Sequence, residues 1–264
     1  MSPDDVYTHG HHDSVLRSHR SRTVANSAAY LMPHLRPGVK VLDIGCGPGT
    51  ITADLAERVA PGVVLGVDRA LDVVEAAREA FPSIEFAVGD AYALESDADE
   101  FDVVHAHQVL QHLSDPVAAL REWARVVRPG GVVAARDGDY EAFTWFPADP
   151  RLNQWLDLYR AAARENNAEP DAGRRLLSWA RAAGFTEVEA TGSVWCYAEP
   201  QSRGWWSDLW AERITDSPLA KQLVDGGRAT TSDLEGIAAA WREWGRHDDA
   251  WFLVPHGEIV ARVS

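Results

Sequence analysis

Cysteine is nearly absent: Cys46 and Cys196 are the only two in 264 residues, too few for a disulfide framework. Basic residues are outnumbered, with 25 Lys and Arg against 40 Asp and Glu and a formal net charge of −15. A surface of that sign repels phosphate backbones, so nucleic acid is not expected as a partner. Long apolar runs are also missing, and none approaches the roughly 20 residues that a helix needs to cross a bilayer. The opening Met1-Ser2-Pro3-Asp4-Asp5 has neither the basic start nor the apolar stretch of a secretory signal. The expectation is a cytoplasmic protein with no membrane partner. Repeats and low-complexity tracts are absent too.

Core material, in contrast, is plentiful. Apolar residues make up 46% of the chain and include 11 Trp. Residues 14–35 carry Val15, Val24, Ala28, Leu31 and Leu35 at helical spacing, and Arg36-Pro37-Gly38 ends that run. An alternation follows. Strands are expected at 39–44, 63–68, 84–88, 101–106 and 132–135, with helices at 50–60, 70–81 and 116–127 between them. Strands alternating with helices imply a parallel sheet covered on both faces, and right-handed crossovers make it doubly wound.

The rhythm breaks after Gly138. Helices are expected at 150–167 and 173–183, a strand at 185–197, and a last strand at 252–263 bent near Pro255-His256-Gly257. The Trp-rich stretch 201–247 is too long for a simple connection and reads as an inserted, mostly helical lid. The chain is thus expected to be one α/β domain with a Rossmann-like, doubly wound, seven-stranded sheet. Its parts are an N-terminal helical arm or cap (1–36), a core (37–137), helices and a strand on the substrate side (138–200), the helical insertion (201–247) and the final strand (248–264).

Chemistry concentrates at Gly45-Cys46-Gly47-Pro48-Gly49-Thr50, between the first strand and the first core helix. Glycines there permit a tight turn and close approach of a ligand, and the helix start offers free N–H groups. A dinucleotide fingerprint requires G-x-G-x-x-G or G-x-G-x-x-A, and position 50 is Thr. Asp68 closes the second strand, where an acidic side chain can take both hydroxyls of a ribose, and Arg69 follows it. Its plainer role would be an N-cap for the next helix. Gly89-Asp90-Ala91 follows the third strand and is, taken alone, an ordinary turn.

The G-x-G-x-G loop preceded by Asp43 resembles motif I of the class I methyltransferases that use S-adenosylmethionine (SAM). With Gly89-Asp90, the segment His105–Leu113 and Pro129-Gly130-Gly131, the marks cover roughly 40–136 in that family's order. The stretch most resembles the methyltransferases of ubiquinone and menaquinone biosynthesis (type 11). The resemblance implies SAM as cofactor and S-adenosylhomocysteine (SAH) as product. It implies that Asp43, Gly45, Cys46, Gly47 and Gly49 form the loop under the donor and that Asp68 and Arg69 stand at its ribose. Gly89, Asp90 and Ala91 would face its adenine, and His107, Gln108 and His112 would lie along its methionine arm. Arg22 has a spacing similar to that of an Arg in glycine N-methyltransferase, which implies a pair with the SAM carboxylate; otherwise it belongs to a solvated helix face. Tyr7 is a further candidate, closing over the donor from the N-terminal arm.

Methyl transfer requires alignment and exclusion of water, and an oxygen or carbon acceptor may need a base where a thiol needs little help. Base candidates are His112 first, then His107, Asp139 and Tyr140, with Asp137 close by. Each His can equally be a packing residue beside the cofactor. His9-Gly10-His11-His12 has no Cys or acidic partner at metal-ligand spacing, and Asp137 and Asp139 match only a fragment of the magnesium-dependent catechol methyltransferase pattern, so no metal is expected.

Trp145, Trp205, Trp206 and Trp210 either line an aromatic pocket or fill the core of the insertion. Tyr7-Thr8-His9-Gly10-His11 and Ser21-Arg22-Thr23 give a looser similarity to the fungal methyltransferase acting on both thiols of reduced gliotoxin and to bacterial dithiol counterparts. The expected activity is methylation of a thiol, hydroxyl or amine on a small secondary metabolite, thiol first, by a monomer or homodimer. Competing readings are C-methylation of a quinone or isoprenoid-type substrate, an NAD-dependent oxidoreductase, and a non-catalytic SAM-binding module.

Overall fold

In the computed structural model, residues 18–264 are described. The central sheet begins with β1 (Val41–Ile44), β2 (Val64–Asp68), β3 (Glu85–Val88) and β4 (Phe101–His107), all parallel. β5 (Val127–Gly138) adds beside β4, and the spatial order is β3-β2-β1-β4-β5. The central β1 is buried on both faces and largely apolar, whereas the edge strand β3 exposes Glu85 and Val88. Successive residues point to opposite sides: Leu42, Val104 and Val133 face one cluster with Leu120 and Trp123, while Val41, Val103 and Val132 face another with Leu55 and Leu31.

The helices that cover the sheet start where local chemistry starts them. α2 (Thr50–Val59) begins at Gly49 in the left-handed region and has no side-chain cap. α3 (Leu71–Ala80) follows β2, and α4 (Pro116–Val126) begins on Pro116 with Asp115 accepting the Ala118 N–H. The expected single helix over 14–35 is instead broken. Thr23 and Asn26 form a capping box that starts the one-turn α1 (Val24–Ser27), and a 3-10 segment, Ala29–His34, follows with Pro33 inside it. A cap in the middle and a proline near the end override the apolar spacing.

Among the described residues the sheet has eight strands rather than seven. The extra one is β6 (Thr144–Phe146), too short for alternation to reveal. β5 also starts earlier than expected: Val127 already pairs with Phe101, and Arg128-Pro129-Gly130-Gly131 forms an irregularity inside the strand before pairing resumes at Val132. The last strands are β7 (Glu187–Tyr197) and β8 (Trp251–Arg262), antiparallel to each other. On its other edge β8 pairs with β5 through His256–Arg262 and with β6 through Trp251–Leu253. The expected bend at Pro255-His256-Gly257 is thus a change of partner within one continuous strand.

After β6 come α5 (Pro150–Glu165) and α6 (Leu176–Ala183), the latter preceded by a 3-10 turn at Ala172–Arg175. Between β7 and β8 lie α7 (Pro200–Asp216), α8 (Pro218–Asp225) and α9 (Thr231–Arg246). Together with α5 and β8 they enclose a second core. At its centre Trp155 meets Trp210 and Trp241 edge-on, at centroid distances of 4.5 and 4.9 Å, and Phe252 of β8 packs against the same cluster. No helix among the described residues is long and apolar enough to cross a membrane.

Trp155 is fully buried, so Trp155→Ala should cost about 3–5 kcal/mol of unfolding free energy, measured by urea denaturation.

Candidate functional site

Two adjoining cavities are present: the first opens at the carboxyl ends of β1 to β4, and the second is lined mainly by β7, α7 and residues 18–26. The first measures about 620 Å3 and the second about 520 Å3, both in the size range of small-ligand sites. Their linings share His19, Arg22 and Gln108.

The first cavity is built on the glycine turn after β1. Gly45 and Gly47 hold φ of +66° and +54°, and a Cβ on Gly45 would stand 2.4 Å from Val109 Cγ2. Only glycine fits that position. Beneath the turn, Asp43 is buried, with Thr52 Oγ1 donating to one carboxylate oxygen at 2.6 Å and His105 Nδ1 donating to the other at 2.7 Å. Asp68 Oδ2 accepts the Gly47 N–H at 3.1 Å and Oδ1 accepts the Ala70 N–H at 3.1 Å. It ties the turn to the end of β2 and does not cap α3, whose N-cap is Ala70. Asp90 Oδ1 accepts the Tyr92 N–H, and the adjoining Ala91 carbonyl receives the Trp123 indole N–H.

The cavity wall brings together Arg22, Asp43, Gly45, Cys46, Gly47, Asp68, Arg69, Gly89, Asp90, Ala91, His107, Gln108 and His112. Gly49 is not among them. It too has a positive φ, and a Cβ there would meet Phe86 at 2.8 Å, so its place is against that ring and at the start of α2. Tyr7 and His9, His11 and His12 lie outside the described residues.

Electrostatics revise the base candidates. His112 is buried, and burial together with Arg22 and Arg69 pushes its pKa down to about 3. His107 is lowered well below its usual value, by burial first and then by Arg22 and Arg136. Both are neutral near pH 7 but too weakly basic to hold a proton. Among the described residues neither ring nitrogen of His107 has a hydrogen-bond partner, which leaves one donor and one acceptor unsatisfied on a residue that lines the cavity. Asp139 is occupied elsewhere: Arg174 grips both its oxygens at 2.7 Å, and it lines neither cavity. Tyr140 reaches the second cavity as a wall, stacked between Phe143 at 4.4 Å and Tyr159 at 4.2 Å, and burial raises its pKa. Asp137 is wholly buried and accepts the Gln111 N–H at 3.0 Å; desolvation raises its pKa to about 7.

The second cavity has aromatic walls from Trp195, Tyr197, Trp205, Trp206 and Trp210, with Arg213 among them. Trp206 and Trp210 also belong to the buried core, so the tryptophans serve both of the roles left open by the sequence. Trp195 stands at the boundary of the two cavities. Arg136 lies 4.9 Å and Arg22 5.8 Å from its ring centroid, His107 5.6 Å and His256 4.4 Å, and its indole N–H donates to the Asn26 carbonyl. Trp195 and His256 escape a sequence reading because strand pairing, not chain proximity, brings them here; their alternation in β7 and β8 is the only hint. Among the described residues no cluster of three His, Cys, Asp or Glu side chains could hold a metal ion.

A methyltransferase-domain family pattern matches residues 41–131. An uncharacterized methyltransferase of Schizosaccharomyces pombe is 32% identical over 267 residues, covering 96% of this chain and 95% of that protein. Demethylmenaquinone methyltransferase of Lactococcus lactis is 37% identical over 128 residues, 46% of this chain and 48% of that enzyme. Among solved structures, phosphoethanolamine N-methyltransferase 2 of Haemonchus contortus, in complex with phosphomonomethylethanolamine and SAH, matches with a TM-score of 0.57 at 18% identity. The match covers 90% of this chain and about half, 52%, of that enzyme, and it shows likeness of fold.

Asp137 gives a test by linkage. Its carboxyl keeps its proton up to about pH 7 in the folded state but only to about pH 4 unfolded. Between those values the folded state binds more protons, so rising pH removes stability. Asp137→Asn carries no such titration. The variant should therefore gain on the parent protein from pH 4 to 7, by about 1.4 kcal/mol per pKa unit at most, in urea midpoints measured at matched pH.

Proposed function

The chain belongs to the class I SAM-dependent methyltransferases, and from that premise we propose that it methylates a heteroatom of a small-molecule acceptor, with thiol favoured over hydroxyl or amine. The observation that carries the acceptor proposal is the electrostatic one. Neither His112 nor His107 has the basicity to take a proton near pH 7, Asp139 is held by Arg174, and Asp137, whose pKa is raised to about 7, lines neither cavity. A thiol ionises in part near neutral pH and is strongly nucleophilic, so it suits a site without a tuned base.

The residues of the first cavity fit SAM. The turn has no room for a side chain at Gly45, and His107 offers two ring nitrogens without a hydrogen-bond partner among the described residues. We assign Asp68 to the ribose hydroxyls, Asp90 with the Ala91 N–H to the adenine, and Arg22 to the carboxylate. Bound there, SAM supplies a methyl group on a sulfonium, open to in-line displacement. The protein's own residues align and enclose. The aromatic walls of the second cavity hold a flat or apolar acceptor and exclude water, and His19, Arg22 and Gln108 form the partition where the two sites meet. His107, held neutral, positions a polar hydrogen without removing it. Of the inserted helices, α7 supplies one side of the acceptor site.

Two measurements test this reading. Asp68→Ala should weaken SAH binding at least about tenfold by calorimetry, because a hydrogen bond to a charged group is lost. With SAM and a panel of reduced dithiols, thiophenols, phenols and amines, methylated thiol should dominate, and its rate should rise with pH along the acceptor's own ionisation. Product only from phenols, amines or carbon acceptors would remove the thiol assignment.

A further inference from the structure

The backbone at Gln108 is unusual: a non-glycine residue at φ +56°, immediately after β4. That conformation costs free energy and persists only where surrounding contacts enforce it. Here the Gln108 N–H donates to the Arg136 carbonyl at 2.7 Å, and the side chain is thereby placed on the wall common to both cavities. What it does there follows from its hydrogen bonds. Arg22 Nη2 donates to Gln108 Oε1 at 2.5 Å, while Gln108 Nε2 lies 3.0 Å from His256 Nε2. His256 Nδ1 lies 2.9 Å from the Val254 carbonyl.

The direction of every bond in this series is determined. A carbonyl only accepts, so His256 carries its hydrogen on Nδ1. Burial, with Arg136 next in effect, holds the ring neutral, which makes Nε2 a pure acceptor. Gln108 must then offer its NH2 to His256 and its carbonyl oxygen to Arg22. A guanidinium has no acceptor atom, so the reversed amide would aim N–H groups at N–H groups on one side and leave two lone pairs opposed on the other. The Val254 carbonyl, through His256 and Gln108, therefore fixes which end of an amide Arg22 meets.

We infer that His256 is a positioning residue for Arg22, acting through Gln108 to hold the guanidinium at the boundary between donor and acceptor. The inference rests on the reading of the first cavity as the SAM site. His256 comes from the last strand, 148 residues from Gln108, and makes its contact because β8 pairs with the end of β5, with His256 opposite Gly138. Its ring is buried against Trp195, so no change of solvent around it is needed for the effect.

The test uses the full chain and SAH as the probe. His256→Leu should stay folded, by circular dichroism, and bind SAH about tenfold more weakly, with the KM for SAM rising more than kcat falls. His256→Gln, whose side-chain oxygen can take the place of Nε2, should recover affinity to within about threefold, a rescue that a loss of packing alone would not give. Adding His256→Leu to Arg22→Gln should cause less than about a twofold further loss, because both act through one contact. Unchanged SAH affinity in His256→Leu, or losses that multiply in the double variant, would overturn the inference. Nitrogen-15 NMR of the ligand-free protein separates the two levels of the argument. The Nδ1–H tautomer of His256 supports the relay, and an Nε2–H or doubly protonated ring refutes it. Failure of the parent protein to bind SAH would count against the cavity reading instead.

Discussion

A single buried carboxylate fastens the elements around the glycine turn of this protein. Asp43 sits under the glycine turn with almost no exposure to water, and a carboxyl group so buried is tolerated because Thr52 and His105 satisfy its two oxygens. Those partners come from α2 and β4, so the strand before the turn, the helix after it and the neighbouring strand are fastened at one point. Leaving a buried polar group without its partner costs about 1–3 kcal/mol in general, and more for a charged one. The turn itself contributes little to its own rigidity, being short and rich in glycine. Its geometry is inherited from what lies beneath it.

The parallel core was legible because its signals are local. Apolar runs between helix patterns, glycines at the first turn, and acidic residues at the ends of β2 and β3 all act over a few residues. The loop residues from Gly45 to Gly47, with Asp68, Asp90 and Gln108, accordingly gather around one cavity. Gly49 is the instructive exception. It belongs to the same sequence pattern but is required by Phe86, a contact made across the fold.

Elsewhere the determining contacts are distant. Asp139 has the right place after β5, yet Arg174, 35 residues on, claims both its oxygens. His112 has the right chemistry in water, but burial beside two arginines strips it of basicity. The helix expected near the amino end is interrupted by Thr23, whose capping bond outweighs apolar spacing. Trp195 and His256 acquire their positions from antiparallel pairing between β7 and β8, which no spacing in the chain encodes. Pattern locates elements well. It cannot price desolvation or foresee which ion pairs form.

β8 carries a mechanical implication. Its carboxyl half is bonded to the donor-side sheet, while Phe252 in its amino half is wedged among the tryptophans of the helical layer. One uninterrupted strand is therefore shared property of both halves of the molecule. A wholesale swing of α7–α9 away from the sheet would drag that phenylalanine out of its socket or unzip the ladder that anchors it. An opening of the second cavity that leaves β8 in place would instead rearrange side chains at its rim.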